Sequence, residues 1–454
     1  MIIRKRMNPL HILILVAFAI VIRLPNINAP ISDVHAWRQS LTATVARNFV
    51  LEDANILHPR QSEILPENNR GRYVFLELPV YQYAASLLYR LFGFHDWVPR
   101  VITVASAAVA SVYIYAIGLA VFSSATVALI SALVFNVFPV AYFYGRAVLP
   151  DMTMVALLSG GLYWLFTYIG SKRSSDLLIA SAFLGASVSI KPYSLIYAPL
   201  WAYALIRENA RGSIRALVAK GVAAVSIIVL PYAAWAAYFL TRFPDAIPAD
   251  HMNGMVGWMR TTVPQFISRM GTNFGYELFT TPLSVLAGIG IILVLRNVLY
   301  DKTHRVALLL WLVMAATYLL IVASGNVHHH YYQLPLAPLA AILIGITADS
   351  LVRSLARSQS PLTQHAAAIT VGVAAVVFGI QFTTIVRGYE QNSLSYYGEI
   401  PNAQKIIPPD DMVIVSGSYR EPTFLDLSWR RGWVFNSEIL EGSVLPQEYR
   451  PETM

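Results

Sequence analysis

The stretch 98–122, VPRVITVASAAVASVYIYAIGLAVF, carries one charge, Arg100, and is otherwise apolar or small. Crossing the hydrocarbon core of a bilayer takes about 20 predominantly apolar residues, so this run is long enough to span it. Working outward, comparable runs recur near 9–23, 124–144, 150–170, 177–190, 192–206, 216–240, 279–295, 306–324, 331–348 and 366–386, about eleven in all. The two that flank Lys191 are short, which predicts tilted or broken helices meeting at a polar kink before Pro192. Composition points the same way. Of 454 residues, 56% are hydrophobic and 13% charged, with a mean hydropathy of +0.54; a water-soluble core of ordinary proportions cannot hide that much apolar surface. The reading is an all-α polytopic membrane protein.

Cysteine is absent, which excludes disulfides, thiolate metal sites and cysteine nucleophiles and leaves chemistry to Asp, Glu, His, Lys, Arg and Tyr. The net charge of +8 suits anionic headgroups or phosphate, although part of it anchors cytoplasmic loops. Nucleic acid is not an expected partner. No repeat of solenoid period and no low-complexity tract is visible.

Arg4, Lys5 and Arg6 precede the first apolar run, so the positive-inside tendency places the N-terminus in the cytoplasm and predicts a retained first helix. Counting crossings from there puts Lys172 and Arg173, then Arg207, Arg211 and Arg215, then Arg296, Lys302 and Arg305, then Arg353 and Arg357 inside, in agreement with the charge rule. The outer face of the cell (inner) membrane then receives segment 24–97, the link from Arg146 to Asp151, the kink at Lys191, the loop 241–278, the link 325–330 and the tail 387–454. Domain organisation follows: a membrane domain over 1–386 and a small extracytoplasmic segment over 387–454.

Within 24–97, Trp37, Leu41, Val45 and Phe49 keep helical spacing, as do Val80, Tyr83, Leu87, Leu88 and Leu91, predicting two amphipathic helices at the interface. Asn68, Asn69 and Gly71 read as a turn between them. In the tail, β-branched and aromatic runs at 412–415 and 433–435 predict a small α/β or β-rich appendage. Asp33, Glu77, Asp151 and the triplet His328, His329 and His330 all fall on the outer side. Ionisable groups gathered at one mouth of an apolar bundle mark a functional site.

The runs SDVHAWRQ (32–39), FLELPVY (75–81), YGRAVLPD (144–151), IKPY (190–193) and HYYQLPLAP (330–338) resemble, in that order, the integral-membrane GT-C glycosyltransferases. The resemblance covers roughly residues 1–350 and is to the bacterial branch related to protein O-mannosyltransferases and the lipid A aminoarabinose transferase. It implies a GT-C fold and transfer of a sugar from a polyprenyl-phosphate donor to a lipid, glycan or protein acceptor on the periplasmic or extracellular side. It further implies Asp33 as catalytic base, Asp151 as the second catalytic acid position, Glu77 as a site residue able to hold a divalent metal, and Lys191 and Arg146 as ligands of the donor phosphate. The aminoarabinose branch carries a lysine after this glutamate, whereas this chain has Leu78, which argues against aminoarabinose transfer and leaves the metal open.

The residues themselves admit plainer readings. Ser32 and Asp33 are good helix caps, Asp151 after Pro150 suits a helix start, Glu77 could serve a structural ion pair, and Lys191 could snorkel. A carboxylate at Asp33 can take the proton of an acceptor hydroxyl, and cations at Lys191 and Arg146 can meet the charge growing on a leaving phosphate. Three adjacent histidines cannot all reach one ion on regular backbone; a metal would take at most two, with Glu77 and His329 as candidates. Otherwise His330, Tyr331 and Tyr332 donate to sugar or phosphate oxygens, while Trp37, Trp258 and Tyr81 line a carbohydrate groove. The expected reaction is inverting hexosyl or pentosyl transfer. A flippase or transporter of lipid-linked sugars is the rival, although it favours midplane charges and repeats, and a non-catalytic scaffold is the third class.

Overall fold

The computed structural model describes residues 7–64, 71–209, 213–246, 258, 261–296, 302–358, 360–417 and 422–436. Asn8, Ser124 and Ser360 start three of the apolar helices by accepting hydrogen bonds from backbone N–H groups of the first turn, two of them with proline in that turn. The chain runs through α1 (Pro9–Val21), then α2 (Ala36–Leu51) and α3 (Val80–Phe92) in the first long connection. A central group follows: α4 (Trp97–Phe122), α5 (Ala125–Val137), α6 (Pro139–Tyr144), α7 (Asp151–Ser171) and α8 (Ser174–Ile190). After a 3-10 turn over Pro192–Tyr197 come α9 (Ala198–Asn209), α10 (Ile214–Arg242), α11 (Val263–Thr272), α12 (Thr281–Leu295), α13 (Lys302–Ile321) and α14 (Ala323–His328). A second 3-10 turn, His330–Leu336, opens α15 (Ala337–Arg357), which is followed by α16 (Pro361–Glu390). The tail holds α17 (Ile400–Ile406), β1 (Met412–Gly417), α18 (Thr423–Ser428) and β2 (Arg431–Asn436).

Every apolar run of the sequence is helical, but not every one is a full-length helix. Among the described residues, α4, α7, α10, the stretch His330–Arg357 and α16 are each long and apolar enough to cross a membrane. The α11–α12 pair, bent by 107°, makes a sixth if it counts as one span, and α1, α5, α8 and Val306–Ile321 are shorter. The remaining run, 192–206, is split between the first 3-10 turn and α9. Non-helical backbone at membrane depth is tolerated where protein encloses it; Lys191, Ser194 and Tyr197 at the first break and Phe279 and Thr280 at the α11–α12 bend are buried.

Packing separates core from belt. The apolar windows of α4, α7 and His330–Arg357 are 67%, 78% and 78% buried, whereas those of α10 and α16 are 11% buried. Val218, Val222, Val225 and Leu230 on α10 and Ile369, Val373, Val376 and Ile380 on α16 are exposed, a band that hydrocarbon solvates and water does not. Inside, Gly118 lies against the Ala128 backbone and Gly345 against Val127 and Ser131, with no room for a Cβ at either. Such small residues let helix backbones approach without a hydrophobic drive between them.

The connections assigned to one side of the membrane meet at one end of the bundle. Val34 N donates to Tyr389 O, Leu78 N to Ser189 O, and Ser393 N to Ser32 O. At the other end Lys172 lies 3.4 Å from Glu208, and Ser124 donates to Asp349.

α3 is amphipathic, with Tyr81, Ala85 and Tyr89 buried and Val80, Leu87 and Leu91 exposed. α2, by contrast, is buried on nearly all sides: Leu41, Val45 and Phe49 pack on Val74, Leu76 and Tyr83, while its polar side chains Arg38 and Gln39 are covered by the site and Arg47 by the tail. The tail itself docks on the first connection. β1 and β2 pair in parallel, Ile64 N donates to Gly432 O at 2.7 Å, and Arg47 donates to Asp426 O at 3.1 Å. The expected turn residues Asn68 and Asn69 lie outside the described residues.

Candidate active site

Two helix breaks face each other at this end. Pro192 has no N–H and disfavours helical backbone in the residue before it, so α8 stops and Lys191 is extended (φ −145°, ψ 104°). His329 is likewise extended (φ −135°, ψ 119°) between α14 and the second 3-10 turn. Each break turns one side chain of a nearly continuous helix inward.

Around Lys191 the sequence-separated charges assemble. Its ammonium lies 3.6 Å from Glu77 Oε2 and 3.6 Å from Asp151 Oδ2. Those distances exceed hydrogen-bond length, so Coulomb attraction holds the ammonium while its three N–H groups have no acceptor among the described residues. Arg38 Nη2 donates to both Glu77 oxygens at 2.9 Å, Gln82 donates to Glu77 Oε1 at 3.0 Å, and the Tyr193 hydroxyl donates to Asp151 Oδ1 at 3.0 Å. Burial works to raise the Glu77 carboxyl, but the charges of Arg38 and then Lys191 outweigh it and hold it at about 2. Tyr331 lies under Lys191, 6.0 Å from ring centre to nitrogen, and Tyr332 packs on Tyr193 at 5.4 Å.

Asp33 occupies the adjoining corner. It does not cap α2, whose N-cap position is His35 with left-handed backbone. Gln39 Nε2 donates to Asp33 Oδ1 at 2.6 Å and Gln39 Oε1 accepts from Val148 N at 2.9 Å, so one amide ties the carboxylate to the connection before α7. Burial raises the Asp33 carboxyl to about 6, against Arg100, Gln39 and Arg146, which lower it. The two corners join through an aromatic wall: His35 stands edge-on to Tyr331 at 5.0 Å and to His329 at 5.2 Å, and Trp37 packs on His329 at 5.8 Å.

Other sequence candidates lie elsewhere. Arg146 is ion-paired with Glu390 and donates to Asn26 O, a partner the spacing could not reveal, and it does not join the Lys191 cluster. His330 is bound to Glu277 at 2.7 Å, with Arg269 3.0 Å from the same carboxylate. His328 is exposed and bonds Ser324 O. Tyr81 is core, its hydroxyl donating to Pro99 O at 2.8 Å, and Trp258 packs on Phe266; neither lines the cluster. Arg38, Lys191 and Gln82 engage Glu77, and among the described residues no group of three or more His, Asp or Glu side chains could hold an ion.

Sequence reasoning left Arg38, Gln39, Tyr193 and His35 without roles. For Arg38 the signal was present, because it lies three residues before Leu41 and seven before Val45, on the same face of α2 as the apolar stripe. Read as a residue facing water, it lost its meaning.

Comparisons with known proteins agree with this architecture. The family described as dolichyl-phosphate-mannose-protein mannosyltransferase matches residues 77–235, which contain Glu77, Asp151 and Lys191. ArnT from Cupriavidus metallidurans bound to undecaprenyl phosphate superposes with a TM-score of 0.67 at 14% identity, over 97% of this chain and 89% of that one. The archaeal oligosaccharyltransferase AglB from Archaeoglobus fulgidus, in complex with an inhibitory peptide and a dolichol-phosphate, gives 0.61 at 12% identity over 93% and 63%. A structure of the Archaeoglobus fulgidus oligosaccharyltransferase in complex with Zn and sulfate gives 0.59 at 13% identity over 93% and 62%. Curated protein sequences return no match. The chain therefore has the polytopic GT-C fold that its sequence led one to expect.

Proposed function

We propose that this membrane protein transfers a sugar, a hexose or pentose, from a polyprenyl-phosphate carrier to an acceptor on the extracytoplasmic face, with inversion at the anomeric carbon. The observation that carries the reading is the Lys191 ammonium, held 3.6 Å from two carboxylates with its hydrogen-bond donors free among the described residues. An ammonium so placed can bind the donor's phosphate and, as the anomeric C–O bond breaks, take up charge growing on the leaving oxygen, an interaction stronger in the transition state than before it. Asp33 accepts the proton of the acceptor hydroxyl while that oxygen bonds the anomeric carbon. The products are the glycosylated acceptor and polyprenyl phosphate. Glu77 and Asp151 hold Lys191 in place, and Arg38 neutralises Glu77. The charge distribution of the connections supports an orientation with this end of the bundle outside and the N-terminus in the cytoplasm.

The test uses purified protein in liposomes with a polyprenyl-phosphate sugar. Lys191→Met should weaken binding of the carrier phosphate, Asp33→Asn should abolish transfer with carrier binding intact, and the product should carry inverted configuration. Undiminished transfer by Asp33→Asn, or a sugar trapped covalently on a carboxylate, rejects the reading. Carrier movement across the bilayer without transfer would favour the transporter.

A further inference from the structure

A chain of neutral hydrogen-bonding groups runs from the buried interior to the mouth of the site. The Tyr144 hydroxyl lies 3.1 Å from His35 Nδ1, and His35 Nε2 lies 3.2 Å from His329 Nδ1. Tyr144 is fully buried, and among the described residues its hydroxyl has no other hydrogen-bond partner. A buried O–H left without an acceptor costs more than a satisfied one contributes, so Tyr144 donates to His35 Nδ1. A neutral imidazole carries one proton. His35 then holds its proton on Nε2 and donates it to His329 Nδ1, and His329 holds its own on Nε2. Burial, first, keeps both rings neutral, His35 lowered to about 3 and His329, which also has Lys191 and Arg38 nearby, to about 4.

The far side of His329 has a defined setting. Its ring is stacked 5.3 Å from Tyr331 and 5.8 Å from Tyr332, the same tyrosines that pack around Lys191 and Tyr193. It is half-buried, and its Nε2–H has no acceptor among the described residues. His35 is fixed by left-handed backbone (φ 57°, ψ 33°), a conformation uncommon outside glycine and associated with functional positions.

Resting on the proposed function, we infer that Tyr144 and His35 are positioning residues that set the tautomer of His329, so that His329 Nε2–H donates a hydrogen bond to an oxygen of the lipid-linked donor. That oxygen belongs to the phosphate or to a sugar hydroxyl, and both are acceptors that a fixed neutral donor recognises. A neutral imidazole suits this place beside Lys191 and Arg38, since it adds a donor without adding a third positive charge.

The experiment pairs nitrogen NMR of the histidine-labelled protein in micelles with binding of two lipids, polyprenyl phosphate alone and the same carrier bearing its sugar. The wild type should show an unprotonated Nδ1 and a protonated Nε2 at His329. His329→Phe should weaken binding roughly 10- to 100-fold, the loss of one hydrogen bond to a charged or strongly polar oxygen, with an unchanged melting temperature. His329→Gln, whose amide retains an N–H, should recover most of it. His35→Asn, which tolerates left-handed backbone, should scramble the His329 tautomer and lose several-fold in binding. Weakening with both lipids places the contact on phosphate; weakening with the sugar-bearing lipid alone places it on the sugar; either supports the inference. Protonated Nδ1 at His329, or binding by His329→Phe equal to wild type for both lipids, overturns it. A wild type that binds neither lipid overturns the proposed function and the donation with it, while the nitrogen signals still decide the tautomer.

Discussion

Asp33 and Glu77 sit in the same connection and are almost equally shielded, 6% and 7% exposed, yet their surroundings drive them apart. Glu77 meets two cations at close range and is held at about 2; Asp33 has one amide donor and more distant guanidinium groups, and burial lifts it to about 6. Burial alone therefore does not decide what a carboxylate does. A neutralised carboxylate is a fixture that orients cations, whereas one left short of compensation is ready to take a proton near neutral pH, the division of labour expected when paired acids titrate far apart.

If that division is real, Asp33→Asn should lower transfer by about 10²–10⁴-fold and leave thermal unfolding in detergent nearly unchanged. Glu77→Gln should act on stability instead: removing one partner of a buried pair leaves Arg38 uncompensated and should cost about 3–5 kcal/mol, read as a lowered denaturation midpoint. Equal loss of stability in both variants would erase the contrast.

The two carboxylates also make opposite pH demands. Transfer should rise as pH climbs through about 6, where Asp33 ionises, then level off; a profile without that limb removes Asp33 as base. For stability the signs differ. The Asp33 value is raised above the ordinary 3.8, so the folded state binds more protons, and its contribution, fully present below 3.8, is lost as pH rises toward 6. The Glu77 value is lowered from 4.5, so its contribution is present above 4.5 and is lost as pH falls toward 2. Unfolding curves of the two Asn and Gln variants between pH 3 and 7, compared with wild type, separate these terms. A smaller effect is expected from Tyr193→Phe, which frees Asp151 Oδ1 of its hydroxyl partner at 3.0 Å and should cost about 0.5–1.5 kcal/mol. Transfer should fall only several-fold; a loss as deep as that of Asp33→Asn would mean that Asp151 is the base.

Much of the fold was readable before any coordinates. Each apolar run is helical along its length or in parts, and the kink expected before Pro192 is where α8 ends, at the extended Lys191. The convergence of Glu77, Asp151 and Lys191 was legible as a shared end of the bundle. The partners were not. Arg146 is as basic in sequence as Arg38, and nothing in the spacing tells which of them meets Glu77 and which meets Glu390. The break at His329 had no comparable marker, since the nearest proline, Pro335, lies within the turn that follows.

Composition and the apolar runs established that the chain lives in lipid, which stretches are helical, and which connections share an end of the bundle, because hydrocarbon solvates apolar surface alone and requires each crossing to satisfy its own backbone. Pairing arose from the packed bundle. Whether Asp33 is poised or neutralised, whether Arg38 and Arg47 on α2 meet water or Glu77 and Asp426, and which nitrogen of His329 holds the proton all depend on atoms a few ångströms apart in space and, in most cases, tens to hundreds of residues apart in the chain. Charge and hydrogen bonding fall off too steeply with distance for linear order to carry that information.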